Sequence, residues 1–241
     1  MSKQEKKAKE LIQKAEQDLN TKNIKQAKKK LQQAIKIAKK TESEQLINKI
    51  LKSKTGKYFI YTTKTHSIKL TPIETDGLIL DIGGGGEGII GKLNGKQVVA
   101  IDTSEQELLG TQNQALKIVM DATDLKFLPK SFDVCTSFFC LMYMPHQRHS
   151  RLFREVYKVL KDNGKFLIWD VESPKKHRDY LAFLLQLKVN LPDEEIEAGY
   201  GTEWDRLISL EHFKEVARKT KFKITSKWSK DEIFHLEMSK M

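Results

Sequence analysis

An α/β fold with a doubly wound, mostly parallel sheet is the class the sequence predicts, on three observations. Beyond residue 56, short apolar β-rich runs alternate with amphipathic stretches, the pattern of a parallel sheet with helices on both faces. The first main run leads into a turn of Gly83-Gly84-Gly85-Gly86-Glu87-Gly88 and then into a helix. The last two runs are separated only by the polar turn Ser229-Lys230-Asp231, which predicts a hairpin and an antiparallel strand added to the parallel sheet.

Taken in order, residues 78–82, 98–101, 116–120, 132–137 and 166–170 read as parallel strands, and 222–228 and 233–238 complete a seven-stranded sheet. Helices are expected at 88–93, 105–111 and 148–160. Ahead of the sheet, residues 3–20 and 23–40 read as a helical hairpin. Leu11, Ala15 and Leu19 recur every fourth residue, as do Ala27 and Leu31, while Asn20-Thr21-Lys22-Asn23 has turn chemistry. A short third helix is expected from about 43 to 51. Ala15, Ala27, Leu31 and Ala34 fall at the packing positions of a 34-residue helical repeat, so the hairpin resembles a single tetratricopeptide repeat whose aromatic positions are unfilled. One hairpin cannot bury both faces, so it is expected to dock on the α/β domain or on a partner. The expected division is a hairpin over 1–55 and an α/β domain over 56–241.

The net charge of +11 is confined to one segment. Residues 1–55 hold sixteen lysines, no arginine and six acidic residues, and the rest is nearly neutral. A solvated lysine face explains this, and an arm for RNA or an acidic protein is the alternative; the lack of arginine weakens base and phosphate reading. The lysine- and glutamate-rich start does not read as a signal peptide, and the longest apolar stretch is too short to span a bilayer. No membrane partner and a cytoplasmic location are the expectation. Cys135 and Cys140 lie in the most apolar part of the chain and read as reduced core residues, with no metal-ligand spacing.

The glycine turn carries the chemistry. Glycines allow left-handed dihedrals and close approach of a ligand, and backbone N–H groups at the helix start offer an anion site. In a doubly wound sheet this turn lies at the carboxyl end of a strand, where ligands bind. Gly83, Gly85 and Gly88 also satisfy the dinucleotide pattern G-x-G-x-x-G, and Asp102 could hold a ribose in either case or merely cap the next helix. Two acidic positions count against NAD. Asp81 ends the strand directly before the glycines, where a carboxylate suits an ammonium or sulfonium rather than a pyrophosphate. Asp121-Ala122 follows the third strand, where an adenine amino group could be read.

Residues 153–168 form a helix, turn and strand that strongly resemble the stretch before the fifth strand of class I S-adenosylmethionine-dependent methyltransferases. The resemblance extends over most of 73–239, including the terminal antiparallel strand, and is to the small-molecule branch grouped with ubiquinone/menaquinone-type enzymes. It implies a Rossmann-like fold and S-adenosylmethionine as cofactor. Gly83 and Gly85 would then pack against the methionyl part, with Asp81 near its amino group. Asp102 would accept from both ribose hydroxyls, and Thr103 would line the adenine. Asp121 would take the adenine amino group, Ala122 would supply backbone, and Phe138 would contact the cofactor near the reacting methyl. Glu87 departs from the family pattern, which has glycine there. It either favours the helix dipole or contacts the cofactor's ammonium or a cationic substrate.

Methyl transfer is an in-line displacement in which alignment alone is worth about 7–11 kcal/mol in favourable cases. A base is needed only if the acceptor must lose a proton. Candidates are His66, in the region before the first strand, Tyr143, on the loop after Phe138, and Tyr200, flanked by glycines as a lid aromatic or a simple turn. His146 and His149 read as surface or capping residues. An Asn-Pro-Pro-Tyr segment, a reactive cysteine in a proline-bearing motif and a magnesium ligand set are all absent from the sequence, which favours a small-molecule acceptor, with a protein target as the alternative. An RNA methyltransferase anchored by 1–55 and a non-catalytic binding module are the alternatives.

Overall fold

The computed structural model describes residues 2–41, 43–172, 180–204 and 208–241, the side chain of Glu44 excepted. The chain forms two compact units, one of Met1–Lys64, Lys176–Leu184 and Gly201–Asp205, the other of Thr65–Lys175, Leu185–Tyr200 and Arg206–Met241.

The first unit is mostly helical: α1 (Lys3–Asn20), α2 (Ile24–Thr41), α3 (Glu44–Lys52) and α4 (Lys54–Phe59). Ser2 and Glu5 form a reciprocal capping box on α1. The Ser53 hydroxyl donates to Ile50 O (2.6 Å) and accepts from Gly56 N (2.9 Å), so one side chain closes α3 and opens α4. Ala8, Ile12 and Ala15 of α1 and Ala27, Leu31, Ala34 and Ala38 of α2 are buried. Leu46, Ile50, Phe59 and Ile60 complete that core, with Leu181, Ala182 and Leu184 packed against it. The hairpin thus finds cover for its apolar surface in segments of its own unit.

The second unit is built on a seven-stranded sheet of order β4-β3-β2-β5-β6-β10-β9. Its strands are β2 (Ile79–Ile82), β3 (Val98–Asp102), β4 (Leu116–Val119), β5 (Phe132–Phe138), β6 (Leu160–Val171), β9 (Phe222–Lys230) and β10 (Ile233–Lys240). Strands β2 to β6 pair in parallel, and β10 runs antiparallel to both β6 and β9. Helices α5 (Ile89–Asn94), α6 (Glu105–Gly110), α7 (His146–Val159) and α8 (Leu210–Lys219) belong to this unit. After β2 the chain winds to β3 and β4 on one side, then to β5 and β6 on the other. The carboxyl end of β2 is therefore the switch point where such sheets open a crevice. The expected class, a mostly parallel seven-stranded sheet with an antiparallel C-terminal strand and a helical hairpin ahead of it, is the one observed.

One sheet escapes the sequence reading. β1 (Ile60–Lys69), β7 (Ala182–Asn190) and β8 (Glu195–Glu203) form a three-stranded sheet of order β1-β7-β8, each strand having residues in both units. Its signal was present: Phe183, Leu185, Leu187 and Val189 alternate with less buried residues, the period of a strand. Tyr200 is correspondingly neither on a lid nor in a turn; it is a buried residue of β8. Among the described residues no helix is long and apolar enough to cross a membrane.

Candidate active site

The turn after β2 is shaped by its own neighbours. Gly83 has φ +73°, and a Cβ there would lie 2.3 Å from Cys140 Sγ, so both the backbone and the space demand glycine. At Gly85 the space a side chain would take is filled by Glu107 Cβ and, at 3.0 Å, by the Asp102 carboxylate. The amides of Gly83 and Gly84 donate to Ile101 O (2.8 and 3.1 Å), that of Gly86 to Glu107 O and that of Gly88 to Gly85 O. The turn is thus less of an anion cradle than its glycine count suggests, because most of its N–H groups serve the fold.

Asp81 is buried and its Oδ1 accepts a 2.7 Å hydrogen bond from Thr136 Oγ1 on the adjacent strand β5. Burial pushes its pKa up to about 7, the Thr136 bond works against this, and the Asp102 charge adds to it. Asp170, at the end of β6, is held in the same way: burial raises it to about 7, although it accepts from Val171 N (2.8 Å) and Met142 N (3.2 Å). Its bond to Met142 fixes the 3-10 turn Leu141–Tyr143 that follows β5.

A cavity opens beside this turn, lined by Ile82, Gly83, Ile101, Asp102, Thr103, Met120, Asp121, Ala122, Cys140, Tyr143, Met144, Pro145 and Arg148. Gly83, Asp102, Thr103, Asp121, Ala122 and Tyr143 are brought together there, and Gly85 is not among the lining residues. Asp102 Oδ1 accepts from Ser104 N at 2.9 Å, a local turn that aims the carboxylate. Asp121 Oδ1 accepts from the backbone and the hydroxyl of Thr123, both at 2.9 Å, and its Oδ2 pairs with Arg148, which also donates to Thr123 Oγ1 (2.7 Å). Partial desolvation would raise Asp121, but the Thr123 bonds and the guanidinium outweigh it and hold the carboxyl below its ordinary range.

Arg148 was missed as a site residue. A cation in the first turn of a helix opposes the helix dipole, and that misplacement was the available signal. Cys140 is half-buried against Gly83 rather than deep in the core, and burial holds its thiol well above the usual range.

Phe138 and Asp81 lie outside the cavity lining but next to it. Strand β5 ends at Phe138, and Phe139 takes φ +47°, a strained value for a bulky residue, while its N–H bonds Trp169 O (2.8 Å). Phe138 packs edge-on to Phe139 and tilted against Trp169. Tyr200 stacks on Phe139 with centroids 5.1 Å apart and 16° between planes, and its hydroxyl donates to Glu87 Oε2 at 3.2 Å. Burial and the Glu87 charge drive the Tyr200 phenol far above its usual range, so at neutral pH it is a donor and not a base.

The remaining candidates separate. His66, on β1, faces Glu232 Oε2 at 2.8 Å and is not among the cavity-lining residues. His149 is neither a surface nor a capping residue: it is fully buried, with Nε2 3.1 Å from Leu141 O and Nδ1 2.8 Å from His212 Nε2. Burial pushes it down to about 4. His146 opens α7 with its ring 4.8 Å from that of His212.

Residues 80–168, from β2 through most of β6, match the methyltransferase domain family. This match supports a class I S-adenosylmethionine-dependent methyltransferase. Among solved structures, the chain resembles an S-adenosylmethionine-dependent methyltransferase from Methanosarcina mazei (TM-score 0.52, 18% identity, 70% of this chain and 95% of that one). A [4+2]-cyclase also shares the fold (TM-score 0.52, 16% identity, 70% and 76% coverage). At these identities the likeness is one of fold. A sterol 4-C-methyltransferase from Caenorhabditis elegans is 25% identical over 95 residues, 39% of this chain. The matched stretch spans only 28% of that relative's length.

Proposed function

We propose that the methyltransferase domain, residues 56–241, transfers a methyl group from S-adenosylmethionine to a small-molecule acceptor by in-line displacement, with 1–55 as an accessory element. The observation that carries the reading is the pairing of two carboxylates, Asp102 and Asp121, on one cavity at the carboxyl ends of adjacent strands, with apolar Ile101, Met120 and Ala122 between them. A planar base fits such an apolar slot, a ribose diol suits a carboxylate already aimed by Ser104, and an exocyclic amine suits Asp121.

When bound, S-adenosylmethionine supplies an electrophilic methyl on a sulfonium. Asp102 would accept from the ribose hydroxyls, Asp121 from the adenine amino group, and Thr103 and Ala122 would line the base. The Thr123 donors and Arg148 keep Asp121 ionised and oriented for that contact. Asp81 would face the cofactor's ammonium across the backbone of Gly83 and Gly85. Because Asp81 has a pKa near 7, a cation beside it draws the carboxyl into its charged form. Phe138 and Tyr143 would exclude water from the reacting end, where alignment is the main contribution of the protein.

Replacing Asp102 tests the reading. The expected result for Asp102→Ala is loss of S-adenosylhomocysteine affinity by at least about 100-fold, consistent with two lost charge-assisted hydrogen bonds. Calorimetry gives the affinity and circular dichroism shows whether the fold persists. Unchanged affinity would sink the assignment.

A further inference from the structure

We infer that Glu87, with the phenol of Tyr200 and the ring of Phe138, forms the acceptor side of the site and selects acceptors that carry a protonated amine apart from the atom to be methylated. This deepens the methyltransferase reading and rests on it.

Glu87 stands where the family pattern has glycine, so its carboxylate is an addition to the turn. It is half-buried, and among the described residues no cation pairs with it. Its described partner is the Tyr200 hydroxyl, which occupies one of several acceptor positions on a carboxylate and brings no charge to neutralise it. Tyr200 is fixed from behind by its stacking on Phe139, and its ring meets Phe138 edge-on at 6.4 Å. A carboxylate set beside aromatic rings is the chemistry that recognises an ammonium. The carboxylate gives charge-assisted hydrogen bonds, and the ring faces attract the cation.

The field has the matching sign. Both Asp81 and Glu87 act on Tyr200, while Arg148, the arginine that lines the cavity, is engaged by Asp121. An anionic acceptor would meet repulsion here, and a neutral one would leave the Glu87 charge uncompensated.

The competing account is that Glu87 and Tyr200 merely tie β8 to the turn. Glu87→Gln separates the two, because the Gln carbonyl still accepts from Tyr200 while the charge is gone. The experiment uses the full chain saturated with S-adenosylhomocysteine and two matched probe pairs, phenethylammonium with phenethyl alcohol and propylammonium with 1-propanol, followed by ligand-observed NMR titration. The expected result is a preference for each ammonium of about tenfold or more, as a charge-assisted contact provides. In Glu87→Gln the preference falls to within about twofold while S-adenosylhomocysteine affinity is unchanged. Equal binding of ammonium and alcohol to the wild type, or a preference that survives Glu87→Gln, overturns the inference. A loss of S-adenosylhomocysteine affinity in Glu87→Gln also overturns it, since Glu87 would then serve the cofactor. Failure of the wild type to bind S-adenosylhomocysteine at all removes the methyltransferase reading itself.

Discussion

Asp81 and Asp121 occupy comparable places, at or just past the carboxyl ends of their strands, and their surroundings drive them in opposite directions. Asp81 is sealed into the sheet with one neutral hydroxyl for company, and burial lifts its pKa to about 7. Asp121 sits in the open part of the cavity, where two Thr123 donors and Arg148 hold it below the ordinary carboxylate range. The same side chain is a proton-sensitive group when sealed into the sheet and a fixed anion when it lines the cavity. The residue type supplies the capacity for charge; solvent access and hydrogen-bond donors decide when the charge is present.

This contrast can be tested from its larger consequence to its smaller. Asp81 has a folded pKa above its unfolded one. Its contribution to stability is therefore fully present below about pH 4 and is lost as pH rises through about 7. Asp81→Asn removes that dependence, so the stability of the variant relative to wild type should improve by about 4 kcal/mol between pH 4 and pH 8.5. Urea unfolding at the two pH values measures it, and an identical difference at both would mean that Asp81 ionises freely.

His149 is the cationic counterpart. Burial disfavours its charged form, as do the His212 and His146 rings, while the Leu141 carbonyl favours it. Its neighbour His212 is also lowered, by burial and His146, with Glu215 opposing and Lys219 reinforcing. With the folded pKa depressed, the stability His149 gives is present above about pH 6.5 and lost as pH falls through about 4. Wild type should therefore lose about 3 kcal/mol more than His149→Gln between pH 7.5 and pH 3.5. Parallel curves would show that the imidazole protonates without penalty. Since His149 also contacts the Leu141–Tyr143 turn beside the cavity, acid should weaken that turn first.

The smallest effect belongs to the exposed end. Arg148→Ala should change stability by less than about 1 kcal/mol, because both partners are more than two-fifths exposed and solvent screens the pair. What should move is the Asp121 carboxyl, whose carbon resonance is expected to titrate at higher pH in the variant. A carboxyl that titrates as in wild type would assign its lowered pKa to Thr123 alone.

The seven-stranded sheet was legible because each strand is a short apolar run bounded by turn chemistry, and the hairpin because its apolar residues recur at helical spacing. Asp102, Thr103, Asp121 and Ala122 could be placed together since doubly wound topology sends the carboxyl ends of consecutive parallel strands to one edge. The β1-β7-β8 sheet was harder to see: β1 pairs with β7 from more than a hundred positions away, and β8, with two glycines and three glutamates, has weak strand chemistry. His149 was misjudged for a related reason, while His146 is exposed at the helix start as read. A polar residue at a helix start reads as exposed until the partner helix, α8, is known to cover it.

What the sequence determined by itself, then, is the order of elements and the identity of the groups at the carboxyl edge of the sheet, because periodicity and turn residues are local properties. The tertiary structure alone decided how those groups behave. It filled the space beside the glycines with Cys140, Asp102 and Glu107, gave Arg148 to Asp121, and set Tyr200 against Glu87 from 113 positions away. Charge state, donor supply and ring stacking depend on which distant segments share a volume, and no local pattern records that.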